Sequence, residues 1–375
     1  MWLSKVAVSN CRIVAYTELE LAAHVNVLYG DNASGKSSLL EALAVLSRGR
    51  SFRTPRINEL ITRGADELTV SVRVEDGVAG GSYPAGICKS SQATRIRINH
   101  ADVAQQAELS AHIPLTLIHP ASVDLVTGGP AIRRAFLDWI AFYRFTDFNS
   151  TWRNYQRILK QRNACLRDAK QRHALPQWTE QLIALQPILY RYRLQALDVL
   201  QYTLQGNSAL LANLGLPLLQ LSTGFPANVD VENRQHLEQF FRERSGQEQK
   251  QGFSLYGAHR TDLHILLDGV PAVRVASRGQ LKLLAVALLL AQSHTTAETE
   301  AKRGIIAIDD LASELDESNQ QALYNTLRTM QQQLIITGAH YEPLRRWFAD
   351  ARVFHVKQGK MVCQEAQRYT KMDKT

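Results

Sequence analysis

Apolar and polar residues alternate along the first thirty positions of the chain. A period of two is typical of strands that bury one face, and it predicts strands at about 2–9, 17–22 and 24–29. Leucines then recur at helical spacing from Leu39 to Leu46, which predicts an amphipathic helix. Further strands are predicted at 68–74, 95–99 and 114–119.

The middle of the chain follows a helical pattern. From Ile132 to about Leu221 the apolar residues recur at helical spacing, and breaks are predicted at three prolines: Pro176, Pro187 and Pro217. The polar stretch from Arg242 to Gly252 is predicted to be a loop.

Strands return in the last third of the chain. The pattern predicts strands at 253–256, 264–268, 304–308 and 333–337, helices at 279–294 and 317–332, and a hairpin that turns at Gln358-Gly359. The predicted fold class is therefore α/β. We expect a discontinuous head, 1–120 and 250–375, with an inserted, mainly helical lobe at 121–249.

Composition narrows the classes of function. The 375 residues include 43 Lys or Arg and 35 Asp or Glu, so the formal net charge is +8 and an anionic partner is favoured. The longest apolar run, Leu283 to Ala291, is too short to cross a membrane. The four cysteines are scattered without a C-x-x-C pair, and the first residues do not resemble a secretory leader. We therefore expect a cytoplasmic protein with no membrane partner.

The segment from Gly30 to Ser38 has the spacing of a phosphate-binding loop, Gly-x4-Gly-Lys-Ser. Glycines let backbone N–H groups curl around a phosphate, and the following helix points its positive dipole end at the same anion. Lys36 would reach the β- and γ-phosphate oxygens as a catalytic residue, and Ser37 would ligate Mg²⁺. The residues predicted to bind ATP here are Gly30, Asp31, Asn32, Ala33, Ser34, Gly35, Lys36, Ser37 and Ser38. An incidental glycine-rich turn is the alternative.

A phosphate loop needs an acidic partner strand. The apolar run 304–308 ends in Asp309-Asp310, as expected for a central parallel strand that carries a carboxylate. We predict that Asp309 joins Ser37 in holding Mg²⁺ and that Asp310 is the catalytic base or orienter of the attacking water. The long separation of the two motifs indicates an insertion. A solvated turn after a strand is the alternative.

Between these motifs, Ser277-Arg278-Gly279-Gln280 stands at the start of a predicted helix. Taken alone, Ser277 is simply a good N-cap residue. Together with the flanking motifs, the segment resembles the signature sequence of ABC-type ATPases, and Leu315-Asp316 resembles their D-loop. This resemblance implies that Ser277, Gly279 and Gln280 contact the γ-phosphate of an ATP that a second copy of the chain holds, in an ATP-dependent homodimer.

Five motifs in a common order resemble those of the bacterial RecF family. They are Ser51-Phe52-Arg53-Thr54, Leu125-Val126-x-Gly128-Gly129-Pro130-x2-Arg133-Arg134-x-Phe136-Leu137-Asp138, Gly257-x-His259-Arg260-x-Asp262-Leu263, Ser277-Arg278-Gly279-Gln280, and Ile308-Asp309-Asp310-Leu311-Ala312-Ser313-Glu314-Leu315-Asp316. The resemblance covers nearly the whole chain. It implies an ABC-type P-loop ATPase head, like those of SMC proteins, with a short helical lobe in place of a long coiled coil.

The same resemblance implies a function. Members of the family are weak, DNA-stimulated ATPases of recombinational repair that bind gapped and duplex DNA without sequence preference. They help to load RecA together with RecO and RecR. Three positions depart from the family pattern: Ala33 stands where glycine is common, Ala258 replaces a proline and Thr261 replaces an aspartate. If φ is positive at Ala33, its Cβ costs about 1 kcal/mol.

Residues 144–172 hold eight basic side chains and two acidic ones. On a helical projection, Arg153, Arg157, Lys160 and Arg167 fall within a sector roughly 80° wide. Apolar residues lie on the opposite side: Tyr155, Leu159 and Leu166. We predict that the four basic residues contact the DNA backbone. A merely solvated face is an equal alternative.

Two other classes of protein share part of this motif set. The ATPase subunit of a membrane transporter would carry a Ser-Gly-Gly-Gln signature and a short insertion, whereas this chain has Ser-Arg-Gly-Gln and a long basic one. A P-loop kinase for a small metabolite has no use for a signature serine supplied by a second copy. Stimulation of ATP hydrolysis by DNA, by membranes or by metabolites distinguishes the three.

Overall fold

The computed structural model describes residues 1–76, 80–206, 208–297, 304–310 and 315–364. Within these ranges, none of the helices has the length and apolar character needed to span a membrane. Residues Leu311 to Glu314, which belong to the predicted acidic motif, lie outside the described residues.

The elements of the described chain are numbered in sequence order. The strands are β1 (Trp2–Cys11), β2 (Val14–Glu20), β3 (Val25–Tyr29), β4 (Glu67–Glu75), β5 (Ser82–Ser90), β6 (Thr94–Ile98), β7 (Ala101–Val103), β8 (Leu115–Ile118), β9 (Leu218–Ser222), β10 (Asp262–Leu267), β11 (Val270–Pro271), β12 (Ile305–Ile308), β13 (Gln333–Gly338), β14 (Arg352–Lys357) and β15 (Lys360–Gln364). The helices are α1 (Lys36–Arg48), α2 (Gln106–His112), α3 (Asp124–Thr127), α4 (Pro130–Arg144), α5 (Phe148–Arg167), α6 (Leu175–Gly206), α7 (Arg234–Gln251), α8 (Ala272–Val275), α9 (Arg278–Ala297), α10 (Glu317–Thr329) and α11 (Glu342–Arg345).

The chain divides into two compact units, of which the first is Met1–Ser122 with Gln292–Thr375. This unit contains an antiparallel sheet, β2-β1-β4-β5-β6-β7, and a second sheet, β15-β14-β3-β13-β12-β8. In the second sheet all strands run parallel except the edge strand β15. Helix α1 shares one hydrophobic core with both sheets.

The parallel sheet is buried on both faces at its centre. Every residue of β12 and β13 is buried, and a strand in this position needs apolar side chains in succession rather than in alternation. The continuous apolar runs at 304–308 and 333–337 therefore gave a correct prediction of both strands.

The second unit is Val123–Ala291. It contains α3 to α8, most of α9, and the small sheet β11-β10-β9. The predicted lobe at 121–249 begins within two residues of this unit but ends earlier. Residues 250–291 group with the helices because β10 pairs with β9 and packs against α4.

Three predictions about this part of the chain are wrong: the loop at 242–252, the helix break at Pro187 and the strand at 253–256. The loop predicted at 242–252 is the second half of α7. Helix α7 is mostly polar, so its hydrophobic pattern is weak, and its helical conformation depends on tertiary contacts. Its buried residues are Leu237, Phe240, Phe241 and Glu248. Pro187 lies inside α6, where its neighbours Gln186 and Leu189 are buried, so packing maintains the helix through the proline. Residues 253–256, predicted as a strand, have an irregular conformation.

Candidate functional site

The candidate site lies at the carboxyl edge of the parallel sheet of the first unit. Strand β3 leads into the loop 30–35 and α1, β12 ends before Asp309, and β13 ends at Gly338. These strands are neighbours in the order β3-β13-β12 and run parallel, so their carboxyl ends meet at one edge. Strand pairing thus assembles the site from distant parts of the sequence.

The loop backbone has a conformation that residues with a Cβ rarely adopt. The φ angle is 154° at Gly30 and 114° at Gly35. A Cβ on Gly30 would stand 2.1 Å from the carbonyl oxygen of Val356 in β14, so glycine is required there. Ala33 also has a positive φ, 62°, at a cost of about 1 kcal/mol. Residues 31–33 are exposed, whereas Ser34 is buried.

Lys36 is buried at the first position of α1. Its ammonium donates to the backbone carbonyl of Gly30 at 2.6 Å and to that of Asp31 at 2.9 Å. Burial lowers the pKa of the Lys36 ammonium below its ordinary value, and the carboxylates of Asp310, Asp309 and Asp31 partly oppose this shift. Hydrogen bonds to neutral backbone carbonyls thus fix the Lys36 ammonium at the loop.

Asp309 is the centre of the hydrogen bonding at this edge. Its Oδ1 accepts from the hydroxyl of Ser37 at 2.8 Å and from that of Thr337 at 2.9 Å. Its Oδ2 accepts from Nη2 of Arg53 at 3.1 Å, and the Arg53 side chain is half exposed. Ser37 and Asp309 are 272 positions apart in sequence. The phosphate loop and the acidic strand are therefore in direct contact.

Asp310 follows at the turn beyond β12, with a φ of 42°. Its N–H donates to the hydroxyl of Thr337 at 3.1 Å, so Thr337 contacts both acidic residues. Burial, and then the charge of Asp310, raises the pKa of the Tyr324 phenol to about 12. The negative potential of Asp310 therefore extends over both Tyr324 and Lys36.

This edge fits a nucleotide with Mg²⁺. The buried hydroxyl oxygen of Ser34 has no hydrogen-bond partner among the described residues, and it lies in the loop itself. Ser37 and Asp309 offer a hydroxyl and a carboxylate oxygen, which are ligand types that Mg²⁺ prefers. Lys36 supplies the cation that phosphate oxygens require. Ser38, also predicted to contact ATP, is buried on the first turn of α1.

The signature residues belong to the second unit. The exposed Ser277 caps α9: its Oγ accepts from the N–H of Gln280 at 3.3 Å, and Oε1 of Gln280 accepts from the N–H of Ser277 at 2.8 Å. This reciprocal pair is a capping box, so the predicted N-cap is confirmed. Gly279 lies on the first turn of α9, and a Cβ built on it would lie more than 4 Å from every described atom outside its own helical turn.

The predicted DNA-contacting residues also lie in the second unit, on α5. Arg153, Arg157, Lys160 and Arg167 are all exposed. The opposite face is buried through Tyr155, Leu159 and Leu166, as the helical projection predicted. Another basic residue of this helix, Arg162, is 1% exposed and forms an ion pair with Glu248 at 2.6 Å. The basic character of α5 is therefore partly structural.

Two of the sequence motifs meet inside the second unit. Arg133 forms a two-pronged ion pair with Asp262 at 2.8 and 2.9 Å, and Arg134 donates to the carbonyl of Thr261 at 2.8 Å. Asp138 accepts from the buried Arg193, which also donates to the carbonyl of Ala258. Segments 125–138 and 257–263 thus form one polar network.

Sequence reasoning assigned no role to Arg53 or Thr337, both of which contact Asp309. A signal existed for each. Arg53 stands in one of the five motifs, and Thr337 is a polar residue at the end of an apolar strand, where parallel strands present functional groups.

The chain is similar over nearly its whole length to proteins of one family. A family model described as "RecF/RecN/SMC N terminal domain" matches residues 2–362. The "DNA replication and repair protein RecF" of Thioalkalivibrio sulfidiphilus is 34% identical over 96% of this chain and 98% of its own length. The protein of that name from Haemophilus ducreyi is 32% identical over 96% of this chain and 99% of its own.

Solved structures show the same fold. The structure of "the recombination mediator protein RecF-ATP in RecFOR pathway" matches with a TM-score of 0.83 at 24% identity, over 97% of this chain and 98% of that one. An SMC head bound to the C-winged helix domain of ScpA matches with a TM-score of 0.58 at 12% identity, over 99% and 100% of the two chains. The predicted ABC-type ATPase head is therefore confirmed as the fold class. The family model and the full-length relatives together show that this chain belongs to the RecF family.

Proposed function

We propose that this chain is an ATP-hydrolysing, DNA-binding protein of recombinational repair, in which ATP closes a homodimer on DNA and hydrolysis releases it. The observation that carries the proposal is the contact of Ser37 with Asp309 beside the buried Lys36. It joins the two halves of a nucleotide site that are far apart in sequence. The names of the relatives, which refer to DNA replication and repair, support the cellular role.

The chain's own groups would hold ATP at the loop. Lys36 binds the β- and γ-phosphate oxygens, and the backbone N–H groups of residues 30–35 surround the phosphates. Ser37 and Asp309 hold Mg²⁺, which neutralises phosphate charge when it is bound. Lys36 donates to two neutral carbonyls, so among the described residues it has no ion pair to break before it reaches a phosphate.

Asp310 is the residue that we assign to hydrolysis. Its carboxylate would orient the attacking water and accept a proton from it. In ABC-type sites a glutamate commonly follows the metal-binding aspartate, and Asp310 is one methylene shorter. Turnover is therefore expected at the low end of roughly 1–10³ s⁻¹ or beneath it, with stimulation by DNA.

The signature residues, which form the second half of the proposed ATP site, require a dimer. Each complete site takes Lys36 from one copy and Ser277, with Gly279 and Gln280, from the other. Ser277→Arg should leave ATP binding intact and abolish ATP-dependent dimerisation in sedimentation. Gln247→Arg places the same charge on the exposed face of α7 and serves as the matched control. An ATP-dependent dimer of Ser277→Arg would remove the role of the signature in trans.

The exposed basic face of α5 is the surface proposed for DNA. If about six phosphates are neutralised, affinity should fall roughly a thousandfold between 50 and 200 mM salt. Replacement of Arg153, Arg157 and Lys160 by Ala should lower affinity and reduce the salt slope by roughly 3. A control variant replaces Arg191 and Arg234, two exposed arginines that lie on α6 and α7. Parental binding by the triple variant would place the DNA elsewhere.

The partners RecO, RecR and RecA, and the cytoplasmic location, belong to this proposal through the family. In that setting the closed dimer would mark gapped DNA, where RecA is loaded. Sequence-specific contacts are not part of the proposal, because the α5 face offers cations for the backbone rather than groups that read base edges.

Dissociation of the protein from gapped DNA tests the whole cycle. Lys36→Ala should lose ATP binding, the dimer and tight DNA binding together. Asp310→Asn keeps the size of the side chain but loses the basic oxygen, so it should bind ATP and stay on DNA much longer than the parent. Rates are measured after addition of competitor DNA. Equal rates for the parent and Asp310→Asn would show that hydrolysis does not time release.

A further inference from the structure

The inner face of α5 is tied to one short segment of the same unit, residues 254–259. Arg162 donates to Oγ of Ser254 at 2.6 Å, and Oδ1 of Asn163 accepts from both the N–H and the hydroxyl of Ser254 at 2.8 Å. Two turns earlier on α5, the Tyr155 hydroxyl lies 2.8 Å from Nδ1 of His259. The segment is therefore held by α5 at both of its ends.

The proton arrangement at His259 makes the Tyr155 hydroxyl a specific donor. Nε2 of His259 lies 3.0 Å from the carbonyl oxygen of Ser254, which only accepts hydrogen bonds. Nε2 therefore carries the proton, and Nδ1 accepts from Tyr155. The same hydroxyl oxygen accepts from the backbone N–H of His259 at 3.3 Å. Tyr155 is fully buried, so loss of its hydroxyl leaves Nδ1 without this donor.

The segment continues directly to the signature end of α9. From His259 the chain forms β10, turns through Asp268 and Gly269, and passes through β11 and α8 to Ser277. Both turn residues have positive φ, as a tight hairpin requires. Helix α8 packs against β10 and β11, so the connection is compact. All of it lies within the second unit.

We infer that Tyr155 and His259 are positioning residues that couple contact of a nucleic-acid backbone with the outer face of α5 to the placement of Ser277. The inference rests on the proposed function, because it takes α5 as the DNA face and Ser277 as part of an ATP site. It adds a physical route between them. Binding of DNA phosphates to the exposed basic side chains of α5 shifts the helix. Residues 254–259 shift with it, because they are hydrogen-bonded to its inner face.

Hydrogen–deuterium exchange on the full-length protein, with and without a gapped duplex, tests this coupling. In the parent, DNA should slow exchange in peptides from 150–167 and from 272–285. Tyr155→Phe should keep the first effect and reduce the second at least threefold. Stimulation of ATP turnover by saturating DNA should also fall at least threefold, while turnover without DNA stays within twofold of the parent.

Tyr192→Phe is the matched control, since it removes a hydroxyl from a ring that packs against Phe145 and Phe148 in the same unit. It should respond as the parent does. Equal protection of 272–285 in the parent and Tyr155→Phe would overturn the inference and leave the DNA face standing. A parent without protection at 150–167 would overturn the DNA face and the inference with it.

His259→Gln provides an independent variant, which is decisive if Tyr155→Phe does not fold. It removes the imidazole that contacts the Tyr155 hydroxyl and the Ser254 carbonyl but leaves the contacts of Arg162 with Ser254 and Glu248 in place. The response at 272–285 should again fall while that at 150–167 is kept. A full response at both places would overturn the coupling.

Discussion

The polar centre around Asp309 in the first unit and the polar centre around Arg162 in the second use similar side chains in opposite ways. Around Asp309, the Arg53 partner is half exposed and Lys36 donates to two backbone carbonyls. The Ser34 hydroxyl oxygen has no hydrogen-bond partner among the described residues. This centre therefore has hydrogen-bonding groups that are available to a ligand.

At the centre around Arg162, each nitrogen of the guanidinium has an acceptor within the chain. Arg162 donates to Glu248 and Ser254 at 2.6 Å and to Thr179 at 3.0 Å, and its guanidinium lies 4.9 Å from the centre of the Phe241 ring. Arg162 is 1% exposed and Glu248 is fully buried. A buried cation is tolerable only when its donors are satisfied in this way. The comparison separates a centre that leaves polar groups available to a ligand from one whose polar groups join helices to each other.

The largest expected effect tests the first centre. Lys36→Ala removes two charge-assisted contacts with phosphate, so nucleotide affinity should fall by about 10²–10⁴-fold in titration calorimetry. The free energy of unfolding should change by less than about 1 kcal/mol, because removal of a buried ammonium offsets the loss of its two hydrogen bonds. Lys360→Ala, on the exposed edge strand β15, should change neither quantity. Parental affinity in Lys36→Ala would remove the phosphate role.

The second centre should respond in the reverse manner. Arg162→Ala leaves Glu248 as an unpaired buried carboxylate, so the free energy of unfolding should fall by about 3–5 kcal/mol while the intrinsic affinity for nucleotide is kept. Denaturant unfolding followed by fluorescence measures the loss. Arg234→Ala breaks an exposed pair with Glu180 and should cost less than about 1 kcal/mol. A loss that small for Arg162→Ala would contradict the structural assignment.

Acid should destabilise the second unit through His259, which contacts Tyr155 and the Ser254 carbonyl. Burial lowers the pKa of His259 from its ordinary 6.5 to about 4 in the folded protein. Between these values the unfolded chain binds more protons than the folded one, so stability falls as the pH falls from about 6.5 to 4, by about 3 kcal/mol. His259→Gln should lose this part of the pH dependence, measured as the shift of Tm with pH. His236→Gln, on the exposed side of α7, should keep it.

The smallest expected effect is a change in the free energy of unfolding on substitution of Ala33 in the phosphate loop. Ala33 carries a Cβ at a φ of 62°. Ala33→Gly should therefore raise the free energy of unfolding by at most about 1 kcal/mol, since the relief of strain is partly offset by the greater freedom of glycine in the unfolded chain. Ala33→Val, with a branched side chain at the same φ, should destabilise the protein. A stabilising Ala33→Val would show that the loop does not hold this conformation in solution.

The sequence alone predicted those features that depend on residues close to one another along the chain. The phosphate loop is a run of neighbouring residues, and the Ser277 capping box joins positions three apart, so both are visible without a fold. The continuous apolar runs predicted β12 and β13 because a strand buried on both faces leaves that pattern. The two faces of α5 followed from helical spacing for the same reason.

Only the tertiary structure decided which distant groups meet. The contacts of Arg53 and Thr337 with Asp309 depend on the order β3-β13-β12 in the sheet, which no local pattern encodes. Arg162 lies seven residues after Tyr155, and thus about 20° from it around the helix, so helical spacing predicts that its side chain points inward. Helical spacing does not predict how the buried cation is stabilised. Its carboxylate partner, Glu248, is 86 positions away, on a helix where the sequence predicted a loop.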